Sequence, residues 1–220
     1  MKNTTELFSA IQSGDAVRVQ GLIAADPQLA SARNPDGVSA IATALYHRKR
    51  EIADLLVSAD ASVDIFDAAM LGDLARVQSH LQRDPSQLRT RSADGGTALH
   101  FACFFAHPEV ARLLIERGSD LRAVAEKFGN VQPLHSAVAG RNHQIIDLLL
   151  QNGADVDARQ QQGYTALHSA AHHGDMRLAK LLLHYGANPL LELDDGQTPI
   201  DMAQKAGHLE LVAMLRANAD

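Results

Sequence analysis

A four-residue motif recurs along this chain at nearly constant spacing, and that recurrence limits the fold more than any other feature. Thr97-Ala98-Leu99-His100, Gln132-Pro133-Leu134-His135, Thr165-Ala166-Leu167-His168 and Thr198-Pro199-Ile200-Asp201 begin 35, 33 and 33 residues apart. Each is followed by small residues, such as Ser169-Ala170-Ala171, and then by a stop such as Gly174-Asp175. A second apolar stretch comes next, with Leu178, Leu181, Leu182 and Leu183 in one unit and Ile145, Ile146, Leu148, Leu149 and Leu150 in another. Gly118, Gly153 and Gly186 close three of these stretches, where a helix ends best on a residue free to turn left-handed. The unit reads as helix, tight turn, helix and a Gly/Asp loop. Units of this period stack in a line, each burying its apolar face only against its neighbours.

Further copies lack the full motif. Asp36-Gly37 and Ser39-Ala40-Ile41 mark a degenerate unit in which Ala42 takes the place of the histidine. Two more segments match each other at an offset of 58: Phe8, Gly14, Asp15, Arg18, Asp26, Pro27 and Arg33 recur as Phe66, Gly72, Asp73, Arg76, Asp84, Pro85 and Arg91. Duplication of a two-unit block explains this most simply. Seven helix pairs result, starting near Thr5, Ser39, Val63, Thr97, Gln132, Thr165 and Thr198. The projecting loop between the second and third is missing, because Asp60-Ala61-Ser62-Val63 runs almost directly into Ile65-Phe66.

These motifs resemble the ankyrin repeat, whose unit is a β-turn and two helices with a T-P-L-H-x-A signature. The likeness is most specific over residues 94–220, where Asp94-Gly95, Gln162-Gly163 and Asp195-Gly196 precede the motifs at fixed offset. In style the chain looks like bacterial members of the family. The resemblance implies an all-α solenoid of about seven helix-turn-helix units forming one domain over 1–220. Its expected repeats are 5–34, 36–62, 63–92, 94–123, 129–158, 162–191 and 195–220. It also implies structural roles: Thr97, Thr165 and Thr198 cap first helices, Pro133 and Pro199 open them, and His100, His135 and His168 bond the Thr and the neighbouring turn.

Composition agrees with this reading. Ala (36) and Leu (29) dominate, aromatic residues are 4%, and there is no Trp, as suits closely packed helices better than strands. The net charge of −6 argues against a phosphate-tracking nucleic-acid binder. A single cysteine excludes an internal disulfide framework. No apolar run reaches the roughly 18 residues of a membrane span, and Met1 to Glu6 lacks a basic-then-apolar signal. A monomer in the reducing cytoplasm, without membrane or nucleic-acid attachment, is expected.

Eleven histidines require a test for metal or catalytic chemistry. His100, His135 and His168 sit one repeat apart, about 10 Å for packed helices, too far to share a zinc ion with ligands at about 2.0–2.1 Å. His168 and His172 have i, i+4 spacing, but His168 is assigned the capping role and no cysteine is near in sequence. Cys103 falls at a small position inside a first helix, and a buried hydrophobe explains it better than a nucleophile. Asp194-Asp195 is turn chemistry. No metal, cofactor or catalytic residue is expected.

The resemblance implies a non-enzymatic protein-binding module: an adaptor, inhibitor or regulatory subunit contacting its partner through loop tips and the ends of first helices. Those positions are Tyr46 and His47, Met70 and Leu71, Phe104 and Phe105, Ala139 and Gly140, His172 and His173, and Gln204 and Lys205. Phe104-Phe105 beside Met70-Leu71 is expected to form an exposed apolar patch, with His172-His173 as a far wall. Arg33, Arg91, Lys127, Arg159 and Asp194 are expected at the loop tips. The segment Leu121 to Val131 is two residues longer than its counterparts and has Asn130 at a usual Gly. The competing reading is a small-molecule or metal-dependent activity housed in the histidine-lined groove.

Overall fold

The fold is a single row of helix pairs, each pair docked on the next. The computed structural model describes residues 2–219; Met1 and Asp220, the ends of the expected array, lie outside them. The pairs are α1 (Lys2–Ser13) with α2 (Ala16–Ala25), α3 (Ala40–Tyr46) with α4 (Arg50–Ser58), and α5 (Ile65–Leu71) with α6 (Leu74–Arg83). They continue as α7 (Ala98–Phe104) with α8 (Pro108–Glu116), α9 (Pro133–Ala139) with α10 (His143–Gln151), α11 (Ala166–His173) with α12 (Met176–His184), and α13 (Pro199–Lys205) with α14 (Leu209–Arg216). First helices pack on first helices along the row, from α1 on α3 to α11 on α13. No strand is formed among the described residues; two isolated antiparallel bridges, Arg33 with Ser39 and Ala125 with Val131, mark the bases of projecting fingers.

Local chemistry explains the turns that hold a glycine followed by aspartate. Gly14, Gly72 and Gly174 end first helices in the left-handed region, and the aspartate after each caps the second helix. The side chains of Asp15, Asp73 and Asp175 accept the backbone N–H three residues on, each at 2.9 Å. Asp26-Pro27 and Asp84-Pro85 start short 3₁₀ turns, with the aspartate accepting from the backbone of Gln28 and Ser86. Helix α1 begins at Lys2, so Thr5 lies inside it.

The core runs the length of the row. Its buried members are chiefly Ala, Leu, Ile and Val, from Leu7 and Ile11 through Leu56, Leu99 and Leu149 to Leu215. Small residues allow close approach between first helices. Gly140 shows how close: a Cβ there would lie 2.5 Å from the Cys103 carbonyl oxygen and 2.6 Å from that of Phe104.

A ladder of neutral histidines ties successive repeats together. In α7, the Thr97 backbone N–H donates to His100 Nδ1 at 3.2 Å, and the Thr97 hydroxyl lies 2.8 Å from the same atom. Because Nδ1 accepts, the proton belongs on Nε2, which donates to the Val131 carbonyl of the next repeat at 3.2 Å. His135 repeats the pattern, taking the Gln132 N–H at 3.0 Å and donating to Ala158 O at 2.9 Å. His168 takes the Thr165 N–H at 3.3 Å and donates to Gln197 O at 3.4 Å. Burial pushes all three down from the ordinary histidine value, His100 to about 4. In the last repeat Asp201 substitutes, accepting the Thr198 N–H and hydroxyl at 3.0 and 2.6 Å. Pro133 and Pro199 stand in the first turns of α9 and α13, where a missing N–H costs nothing.

The fingers are joined by a second ladder. Arg33, Arg91 and Arg159 occupy equivalent positions, and each donates to the glycine carbonyl of its own finger: Gly37 at 3.0 Å, Gly95 at 2.9 Å and Gly163 at 3.4 Å. Arg91 also donates to Val124 O at 2.6 Å and Arg159 to Glu192 O, one finger further on. Arg33 finds no following finger, because residues 59–64 connect α4 to α5 directly. Its guanidinium pairs instead with Asp64, at 2.7 Å. These arginines clamp the array together and are spent on neighbouring loops.

Candidate functional site

The angle between the first helices and the fingers holds an apolar groove spanning the fourth to sixth repeats. Its main cavity encloses about 570 Å³. The helix side is lined by Phe101 and Phe104 of α7, by Ser136, Val138 and Ala139 of α9, and by Ala166, Ser169 and His173 of α11. The finger side is lined by Phe128, Val131, Gln160 and Tyr164. Tyr46 closes one end, and the neutral His100 and His135 rings add no charge.

The chain has six Phe and three Tyr, and nearly all of them gather here. Phe104 meets Phe105 edge-on with centroids 5.2 Å apart, and Tyr46 packs on Phe105 at 6.1 Å. Phe128 meets Phe101 edge-on at 6.4 Å, and Phe101 meets Phe66 at 6.1 Å. Tyr164 lies over His168 at 5.6 Å. Phe8 and Tyr185 alone lie apart from this group. Gly96 makes room for it, since a Cβ there would stand 2.8 Å from the Phe101 ring. Phe104 remains 46% exposed and Phe128 43%. Aromatic surface left in water at the mouth of an apolar cavity is the arrangement that recognises an apolar anchor.

Polar groups fix the rim. The Tyr46 hydroxyl donates to Asp94 Oδ2 at 2.7 Å; burial, then that hydrogen bond, drives its pKa upward. Lys127 Nζ donates to Ala93 O at 2.6 Å, and Gln161 N donates to Gly129 O at 2.9 Å, which stacks the long finger between its neighbours. Asn130 adopts the left-handed φ of 62° that its place at a usual Gly requires.

Of the residues expected at the docking surface, Tyr46, Phe104, Ala139 and His173 come together around the cavity, while Gly140 is packed against the carbonyls of Cys103 and Phe104. Phe105 is half-buried behind Phe104. His47, His172, Gln204 and Lys205 are exposed but lie outside the cavity lining. Met70 and Leu71 do not belong to an exposed patch: they are 2% and 8% exposed. The reason is register. Asp64, not Val63, caps α5, accepting from the backbone N–H groups of Phe66 and Asp67. Met70 therefore matches the wholly buried Cys103 rather than Phe104. Leu71 does match Phe104 but is covered, beside Gly72 and the His107 ring packed on that glycine.

Sequence reasoning missed Phe128, Tyr164, Val131 and Val138 as groove residues. A signal was present for two of them: Phe128 sits in the one lengthened finger, and Tyr164 directly precedes the Thr165 cap.

Cys103 is buried, and burial pushes its thiol far up, so little thiolate forms. Among the described residues, no three His, Cys, Asp or Glu side chains converge as a metal site. His172 and His173 meet edge-on at 4.9 Å, with His173 Nδ1 hydrogen-bonded to Ser169 O. No helix among the described residues is long and apolar enough to cross a membrane.

The helix pairs, fingers and histidine ladder define a helical repeat protein. A family model described as ankyrin repeats (3 copies) matches residues 65–160 and 134–220. The chain belongs to the ankyrin-repeat family, a non-enzymatic fold that binds other proteins. Among its relatives, the mouse protein "Ankyrin repeat and SAM domain-containing protein 6" is 32% identical over 103 residues, 47% of this chain but 12% of that protein. The human "BCL-6 corepressor-like protein 1" is 33% identical over 118 residues, 53% of this chain and 6% of that one. The Saccharomyces cerevisiae "Probable 26S proteasome regulatory subunit p28" is 29% identical over 175 residues, covering 73% of this chain and 76% of its own length. The chain thus spans a small part of the mouse and human relatives and most of the yeast one.

Proposed function

We propose that this chain is a docking module that receives an apolar anchor of a partner protein in the groove between α7, α9, α11 and their fingers. The observation that carries the reading is the aromatic-lined cavity of about 570 Å³ with Phe104 and Phe128 nearly half exposed at its mouth. Tyr46 and His173 bound the contact surface, with Phe105 as backing; His47, His172, Gln204 and Lys205 extend it along the row. The chain acts as an adaptor, inhibitor or regulatory subunit, without catalysis of its own, as a monomer in the cytoplasm. A relative named as a proteasome regulatory subunit supports that kind of role.

Affinity capture from the native host tests the reading, with wild type beside Phe104→Ser and a Phe104/Phe105 double variant. Phe104 is half exposed, so its replacement shifts stability by only about 1 kcal/mol. A partner retained by wild type and lost by Phe104→Ser supports the groove. A partner retained equally by all three removes it as the docking site.

A further inference from the structure

The omitted finger between the second and third repeats leaves a cleft, and the residues around it are unlike those anywhere else in the row. The fingers on either side lean together across the gap: a Cβ on Gly37 would lie 3.2 Å from the Cβ of Ala93. Under them is a cavity of about 250 Å³ whose lining includes Arg33, Ser39, Asp64, Asp67, Arg91, Ser92 and Asp94. Asp94 also carries the Tyr46 hydroxyl at the end of the aromatic groove. The two cavities therefore adjoin across the Tyr46–Asp94 hydrogen bond.

Asp67 occupies the place of the ladder histidine. A histidine there would donate to the following finger, as His100, His135 and His168 do. Asp67 makes no such bond to that finger. Asp67 instead turns back to the preceding repeat, where the Ser39 hydroxyl donates to its Oδ1 at 2.5 Å. Its other oxygen, Oδ2, is buried and has no hydrogen-bond partner among the described residues, and Ser92 Oγ is in the same position. Asp67 as a whole is 1% exposed. An unpaired carboxyl oxygen at that depth is costly. Neither nearby cation bonds that oxygen: Arg33, whose charge favours the carboxylate from a distance, is bonded to Asp64 and Gly37 O, and Arg91 to the carbonyls of Gly95 and Val124. Of the three carboxyl groups here, Asp64 is paired with Arg33, Asp94 holds the Tyr46 hydroxyl, and Asp67 keeps one oxygen without a partner.

We propose that this cleft is a receptor for a cationic side chain, lysine or arginine, of the protein that docks in the adjoining groove. The ammonium or guanidinium donates to Asp67 Oδ2 and Ser92 Oγ, with Asp64 and Asp94 flanking it. The inference rests on the docking reading for the identity of the cation's owner. It adds a sequence requirement to the partner: a basic residue next to the apolar anchor. It also gives the missing finger a use, since a normal finger would fill the cleft.

The test uses n-butylguanidinium chloride as probe and sodium butyrate as control, titrated into the 15N-labelled full chain and followed by backbone amide shifts. The expected result is a saturable shift of the amides of residues 64–67 and 91–94 with the cation, and none with butyrate. Asp67→Asn keeps an acceptor for Ser39 and removes the charge; binding should weaken about tenfold or more. Ser92→Ala, a milder change, should weaken it by a smaller factor, and Phe104→Ser should leave it unchanged. No saturable shift in wild type, a response to butyrate instead, or equal affinity in Asp67→Asn would each overturn the proposal. Because the probe carries no anchor, these results stand apart from the capture experiment: a chain that binds the cation but keeps its partner after Phe104→Ser refutes the groove alone.

Discussion

Acid should unstitch the histidine ladder, and His100 gives the size of the effect. Its ring is buried, donates from Nε2 to Val131 O and stays neutral down to about 4 in the folded chain. In the unfolded chain it takes up a proton near 6.5. Between those values the unfolded state binds the extra proton, so stability is complete above about pH 6.5 and falls as the pH drops toward 4. At 1.36 kcal/mol per pH interval, this one residue removes ~2 kcal/mol between about pH 7 and about pH 4.5. Asp67 works in the opposite sense. Burial and the neighbouring Asp64 raise it to about 7, so the folded chain keeps a proton that the unfolded chain has lost. Its contribution is present at low pH and disappears as the pH rises through 7. The clean comparison is therefore Asp67→Asn against Asp67→Asn/His100→Gln, each unfolded in urea at both pH values and followed by helical circular dichroism. With a slope of roughly 3 kcal/mol per molar urea, the parent's midpoint should fall by ~0.7 M more than that of the glutamine variant. Equal pH dependence in the two would refute the buried neutral ladder.

Further outcomes follow from packing. Gly140→Ala places a methyl group against the Cys103 and Phe104 carbonyls and should cost about 1–3 kcal/mol, seen as a melting temperature lowered by several degrees. Gly21→Ala, in the middle of α2 with open space around its Cβ position, should instead stabilise by about 0.5–1 kcal/mol in the same melt. Cys103 should resist a thiol reagent in the native chain and react fully in denaturant; rapid native labelling would contradict its place in the core.

How much of this was legible in the residues depended on whether a local signal was enough. The caps, the left-handed glycines and the ladder histidines are set by short-range chemistry, and Thr165-Ala166-Leu167-His168 announces all of them. The missing finger was legible as a spacing. What failed was register in the repeat without the motif. Val63 and Asp64 are adjacent, and which of them caps α5 decides whether Met70 faces outward or inward; hydrogen bonding to Phe66 and Asp67 settles it for Asp64. The arginine clamps were invisible for another reason, since Arg33, Arg91 and Arg159 act between fingers and a loop-tip arginine carries no mark of its bonding partner. The groove was half legible. Phe104 stood out by its position, whereas Phe128 and Tyr164 become its neighbours only when fingers and helices are folded together.

Docking between the first helices and the fingers of the fourth to sixth repeats would show itself in hydrogen-exchange mass spectrometry of the captured complex. Partner binding should slow exchange in residues 101–105, 126–131, 136–140 and 160–169 and leave the outer helices α8, α10 and α12 unchanged. Protection confined to those outer helices would contradict it.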